Sequence, residues 1–175
     1  SNGVTVDNNT VDSSTDSVVV SNSQGALVRD TNVTNSGGEG AILSDSTDTV
    51  LRNNNLTGSS SDGIFVGSSS SNTTLVNNNA SDNGDDGVDV GSDDNNITGN
   101  DVIGNLGAGL RIDDAQDNLV QDNNISDNDI WGLRLGTGDG HNVTDNELRA
   151  NSFDGILVDD VSNLTVQNNT VAQND

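Results

Sequence analysis

The chain of 175 residues carries 28 acidic side chains against 5 basic ones, a net charge of −23, and only 29% of it is hydrophobic. That charge excludes nucleic acid and anionic membranes as partners, because phosphate binding needs Lys and Arg, and no apolar run approaches the roughly 20 residues of a membrane span. The absence of Cys excludes thiolate metal centres, disulfides and Cys nucleophiles, and the apolar fraction lies below the roughly 45–50% that builds an ordinary compact core.

In chain order the predicted elements are short strands separated by polar corners. The first unit places Val6 before a corner at Asn9 and Val11 after it. The same triplet returns as Val28, Thr31, Val33, then Leu51, Asn54, Leu56, then Leu75, Asn78, Ala80. It continues through Ile97, Asn100, Val102, then Val120, Asn123, Ile125, then Val143, Asn146, Leu148, and ends at Val166, Asn169, Val171. Successive corners lie 22 to 24 residues apart. Nine residues after a corner stands Gly40, Gly63, Gly87, Gly109, Gly132 or Gly155, followed three residues on by Leu43, Val66, Val90, Ile112, Leu135 or Val158. A second polar column reads Ser14, Ser36, Ser59, Asn83, Asn105, Asn128, Asn151, Asn174. Low hydrophobicity with high net charge is the signature of disorder, but a disordered chain does not keep such columns in register.

Within each unit the apolar residues alternate, as in Leu133–Arg134–Leu135, which is the strand period. Gly and Asn are spread through every unit and oppose helix. A three-strand unit of this size cannot bury its apolar face alone, but stacked units can. The prediction is an all-β, single-stranded parallel β-helix of about eight coils, one solenoid over residues 1–175. At about 4.8 Å per coil the rod is roughly 35–38 Å long. Because no amphipathic helix or atypical unit caps either end, the expectation is a segment of a longer chain whose open ends favour end-to-end association.

The unit N-x-I-x-x-N-x-x-x-G-I-x-V, as in Asn123 to Leu135 and Asn146 to Val158, resembles the right-handed parallel β-helix repeat of the pectate-lyase-like superfamily, with its carbohydrate-binding and sugar-hydrolase domains. The resemblance implies a right-handed coil. It leaves function open, since that superfamily includes lyases, hydrolases, epimerases, adhesins and plain surface repeats. The acidic, Lys-free composition is similar to that of proteins from halophilic archaea, whose solvated carboxylates keep a chain soluble in concentrated salt.

Candidate functional residues fall on one outward column. Asp89, Arg111 and Arg134 are neighbours on adjacent coils, with Asp113 and Asp114 just beyond. In the resembled lyases and epimerases an acidic cluster with Ca²⁺ and a basic residue handles uronates, and Asp with Arg suits the binding of an acidic sugar. The other reading is a surface ladder in which Arg offsets Asp charge. Asp85, Asp86 and Asp89, in Gly84-Asp85-Asp86-Gly87-Val88-Asp89, partly match a calcium-binding β-roll repeat and are the candidate Ca²⁺ ligands; the alternative is a set of charged turns. Trp131 is either a sugar-stacking platform or a cover over a narrow core. Ile130 and Phe153 share a column and are expected inside a corner. His141, the only histidine, is either a general base oriented by Asp139 or Asp117 or a solvated turn residue. Sequons at ten Asn residues, among them Asn32, Asn96 and Asn142, fit an exported glycoprotein.

The function expected first is a non-catalytic extracellular or cell-surface β-helix segment with a structural or glycan-contact role, touching a polysaccharide or surface glycan. A polysaccharide lyase, epimerase or glycosidase working through Asp89, Arg111, Arg134 and Asp113 is the alternative, and a self-assembling rod is the third reading. Every unit spans only 22 to 24 residues, whereas active sites usually sit on longer insertions.

Overall fold

A computed structural model describes residues 1–12, 15 and 17–175. Most coils contribute three short strands, the coil of Leu75 pairing through Asn79 in place of one, and Ala115–Gln116, Gly138–Asp139 and Val161–Ser162 add a small three-stranded sheet; among the described residues every strand pair is parallel and no helix forms. No helix there is long and apolar enough to cross a membrane.

The first face is an eight-stranded sheet running from Thr5–Asp7 through Leu27–Arg29 and onward to Thr165–Gln167. The chain therefore makes about seven full turns between the first and last strands of that face, close to the coil number expected. A second face carries Thr10–Asp12, Asn32–Thr34 and Asn55–Thr57, then Asp101–Ile103 to Thr170–Ala172. Isolated bridges through Asn79 join these two groups. The third face is a seven-stranded sheet from Val18–Ser21 to Ile156–Val158.

The core follows the alternation in the sequence. Leu51, Leu75, Ile97 and Val120 stack inward from the first face, Leu56, Val102 and Ile125 from the second, and Leu43, Val66, Val90 and Ile112 from the third; all are at most 1% exposed. Each inward side chain meets its equivalents one coil above and below, so a thin aliphatic column forms a continuous core.

The corners are built from side-chain amides. Asn78 Oδ1 accepts from the Asn54 backbone N–H at 3.0 Å and from Asn54 Nδ2 at 2.9 Å, while Asn54 Nδ2 also donates to the Val28 carbonyl. The pattern repeats through Asn100, Asn123, Asn146 and Asn169. The second predicted column behaves the same way from Ser59 through Asn83 to Asn174; its first member, Ser14, lies outside the described residues. These ladders satisfy turn backbone groups that no strand pairs. The residue before the first ladder adopts positive φ in each coil, from Asn8 and Asp30 to Asp145 and Asn168. Asn and Asp tolerate this conformation best among residues with a Cβ.

Two expectations are corrected. Phe153 stacks on Ile130 through its backbone N–H at 2.9 Å, but it is 55% exposed and points outward. The corner interior is already filled by Asn128 and Asn151. His141, as a solvated turn residue, is also corrected: it is 1% exposed. It continues a third ladder, Thr73–Asn95–Asn118–His141, and its Nδ1 accepts from the Asn118 N–H at 3.2 Å.

Candidate functional site

The third face holds the candidate residues in the expected register. Asp89 lies beside Arg111 and Arg111 beside Arg134 on successive strands, with Phe65 and Leu157 flanking the charged residues and Ile42 and Val19 continuing the column beyond Phe65. Their flanking residues, Val88, Val90, Leu110 and Ile112, are buried in the core, so the period of two turns the charged column to the outside.

Arg111 grips Asp89 with two parallel bonds, Nε to Oδ1 at 3.1 Å and Nη2 to Oδ2 at 2.5 Å. This fork geometry is the strong form of the carboxylate–guanidinium pair. Nε of Arg111 also faces Asp86 Oδ2 at 3.0 Å and Asp113 at 3.9 Å. Arg134 pairs with Asp113, and Gly136 leaves the room that Asp113 fills, since a methyl there meets the Asp113 carboxylate. Both arginines are thus already neutralised by Asp.

A second column, one residue before the glycines, reads Glu39, Asp62, Asp86, Ala108, Trp131, Asp154. The glycines are required because a Cβ on Gly63 lies 2.6 Å from the Gly87 carbonyl oxygen. Asp62 Oδ1 accepts from the Asp86 N–H at 3.0 Å, and Asp86 Oδ1 accepts from the Ala108 N–H at 2.7 Å. Here Asp does what Asn does at the other corners. Burial comes at an electrostatic cost. Desolvation, with the charges of Asp86 and Asp89 added, pushes Asp62 up to about 7. Asp86 is pushed up to about 6, chiefly by desolvation, against the opposing pull of the Ala108 N–H and Arg111.

Asp62 was not singled out from the sequence, although its place one coil before Asp86 in the same column was legible. Carboxylate oxygens of Asp62, Asp85 and Asp86 lie within 4.8 Å of one another. Of the residues weighed for Ca²⁺, Asp85 and Asp86 meet in this group while Asp89 is turned to Arg111. The spacing suits a cation, but Arg111 already faces Asp86, and burial favours the protonated form of Asp62.

Trp131 is half-buried two coils along from Asp86 in the same column, and the Arg134 guanidinium lies 5.7 Å from its ring centroid. This is a cation–π distance. His141 lies apart, in its own ladder, near the carboxylates of Asp117, Asp139 and Asp93. Burial nevertheless pushes its pKa down and favours neutral imidazole.

The sequence matches the family described as "Right handed beta helix region" over residues 1–144 and again over 43–175. The chain belongs to the right-handed β-helix family. No sequence among curated proteins matches it. Among solved structures, the Azotobacter vinelandii mannuronan C-5 epimerase AlgE6 A-module superposes with a TM-score of 0.75 at 17% identity, over 99% of this chain and 58% of that one. The catalytic unit of a GH87 α-1,3-glucanase from Streptomyces thermodiastaticus gives 0.74 at 13% identity, over 99% and 44%. PfbA, a surface adhesin of Streptococcus pneumoniae, gives 0.62 at 15% identity, over 99% and 60%. The chain thus spans about half the length of the structures it resembles, and identities this low establish the shared fold alone.

Proposed function

We propose that this chain is a non-catalytic, glycan-contacting segment of an extracellular or cell-surface protein. The observation that carries the reading is the half-buried Trp131 ring on an outward corner beside Arg134. An aromatic face of this kind stacks on the apolar face of a sugar ring, and its size gives it a large share of any contact energy. Similar folds in a mannuronan epimerase, a glucanase and a surface adhesin support a carbohydrate context.

The engagement of the ionisable groups supports the absence of catalysis. Asp62 and Asp86 are 6% and 4% exposed and are bound to ladder N–H groups. A general acid or base must come within hydrogen-bond reach of the substrate, and these carboxyls face the coil instead. Arg111 and Arg134 are held by carboxylates and make poor bases. The test is binding of polysaccharides to the wild type and to Trp131→Ala in molar salt. Loss of at least about tenfold in affinity is expected, with the melting temperature retained. Undiminished binding by the variant contradicts the proposal.

A hydrolytic alternative rests on one observation: Asp62 retains its proton close to neutral pH beside the exposed Asp85, as an acid catalyst must. Product release from a polysaccharide, abolished in Asp62→Asn, is the result that would establish it.

A further inference from the structure

The corner that carries Trp131 is one of several apolar patches on the described surface, the others including Val19 on the third face and Val158, Val166 and Val171 on the last coils. Leu106 is 60% exposed, Ile130 and Trp131 are half-buried, and Phe153 is 55% exposed. Backbone bonds place them on three successive coils: the Ile130 N–H donates to the Gly107 carbonyl and the Phe153 N–H to the Ile130 carbonyl. Those bonds align Gly107, Ile130 and Phe153 in one column along the rod axis, with Leu106 and Trp131 in the columns on either side of it and a step of about 4.8 Å per coil. That step is close to the advance of one pyranose unit in an extended polysaccharide.

The rim of the strip is acidic. Asp129 precedes Ile130 and Asp154 follows Phe153, both exposed, and the Gly132 N–H donates to the Asp154 carbonyl, which sets Asp154 one coil beyond Trp131. Exposed Asp85 lies in the strip's own column, one coil before Gly107. The nearby cations offer a ligand no free positive charge, since Arg111 is bound to Asp89 and Arg134 to Asp113. A uronate brought here meets carboxylates and paired guanidiniums. A sugar carrying a protonated amine meets an aromatic platform and unpaired acceptors, the arrangement that charge-assisted hydrogen bonds need.

We infer that the Leu106–Trp131–Phe153 strip with its Asp129 and Asp154 rim binds a polysaccharide of amino sugars, its rings stacked on the aromatic residues and its ammonium groups paired with the rim carboxylates. The inference rests on the glycan-contact reading and gives the substrate class for the same corner. Asp129 and Asp154 determine the preference for a cation, and Trp131 supplies the contact that any sugar ring uses. Stacking and the ion pair are separate contributions, so substitutions at the two positions have different signatures.

The experiment is calorimetric titration of the protein with an oligomer of glucosamine, its N-acetylated counterpart, an oligouronate and a lysine oligomer. It is run at about pH 6, where an α-amino-type amine keeps its proton. The glucosamine oligomer should bind at least about tenfold more tightly than the N-acetylated one, and the oligouronate not measurably. Asp129→Asn/Asp154→Asn should bring the two sugars to similar affinity, while Trp131→Ala should weaken both. Equal binding of both sugars by the wild type overturns the amino-sugar preference and leaves the glycan reading standing. Binding of the lysine oligomer as tightly as the sugar, unaffected by Trp131→Ala, overturns the preference as bare charge attraction. Failure of every sugar to bind overturns the glycan reading itself.

Discussion

In the folded chain Asp62 releases its proton at about 7, whereas an unfolded Asp does so near 3.8. Between those values the folded state holds the extra proton. Stability therefore falls as pH rises from about 4 to about 7 and stays reduced above that. Asn at position 62 keeps the acceptor for the Asp86 N–H and removes the buried charge. Asp62→Asn should therefore be more stable than the wild type by on the order of 1–3 kcal/mol at about pH 8, with the difference vanishing near pH 4, as read by urea melts at both values. The outward Asp89, Arg111 and Arg134 column was legible from the strand period. Asp62 was overlooked because its role depends on burial, which a column of Glu, Asp, Ala and Trp does not announce. His141 was misjudged for a related reason: its neighbours in sequence are Gly140 and Asn142, which read as a turn, while its neighbours in space are Asn118 and the Ala115 segment.

At the scale of the element, the repeating unit is a strand, a left-handed residue and a ladder residue. The left-handed corner positions fall mostly on Asn, Asp and Gly, which explains pairs such as Asp93–Asp94 and Asp159–Asp160 as turn chemistry: Asp94 and Asp160 both have positive φ. The glycine column has a different cause. A methyl on Gly109 lies 2.8 Å from the Gly132 carbonyl oxygen and 2.6 Å from Asn128 Nδ2. The coils cannot part locally, because each is bonded to its neighbours on three faces. Gly109→Ala should cost about 2–3 kcal/mol in a denaturant melt with the strand signal in circular dichroism retained. A neutral result would mean that the coil spacing is softer than these contacts imply. Strands and corners were readable from sequence at this scale because each depends on local residue types. The outward turn of Phe153 was not, since it depends on Asn128 and Asn151 filling the corner first.

For the whole molecule, the charge of −23 is spread over a thin rod with little interior to offset it. Like charges repel across the coils, and salt shortens the Debye length to about 3 Å at 1 M. The melting temperature should rise from dilute buffer to molar KCl, as the halophile-like composition suggests; a melting temperature indifferent to salt would contradict that expectation. On this rod the acidic cluster around Arg111 is part of the fold: its carboxylates hold backbone N–H groups and its arginines offset Asp. The most direct test is product release from neutral, amino and uronate polysaccharides in molar salt by the wild type, Asp62→Asn and Arg111→Ala. The account predicts no product from any of these polysaccharides for all three proteins. Product formed by the wild type and lost in either variant would make the cluster an active site and contradict it.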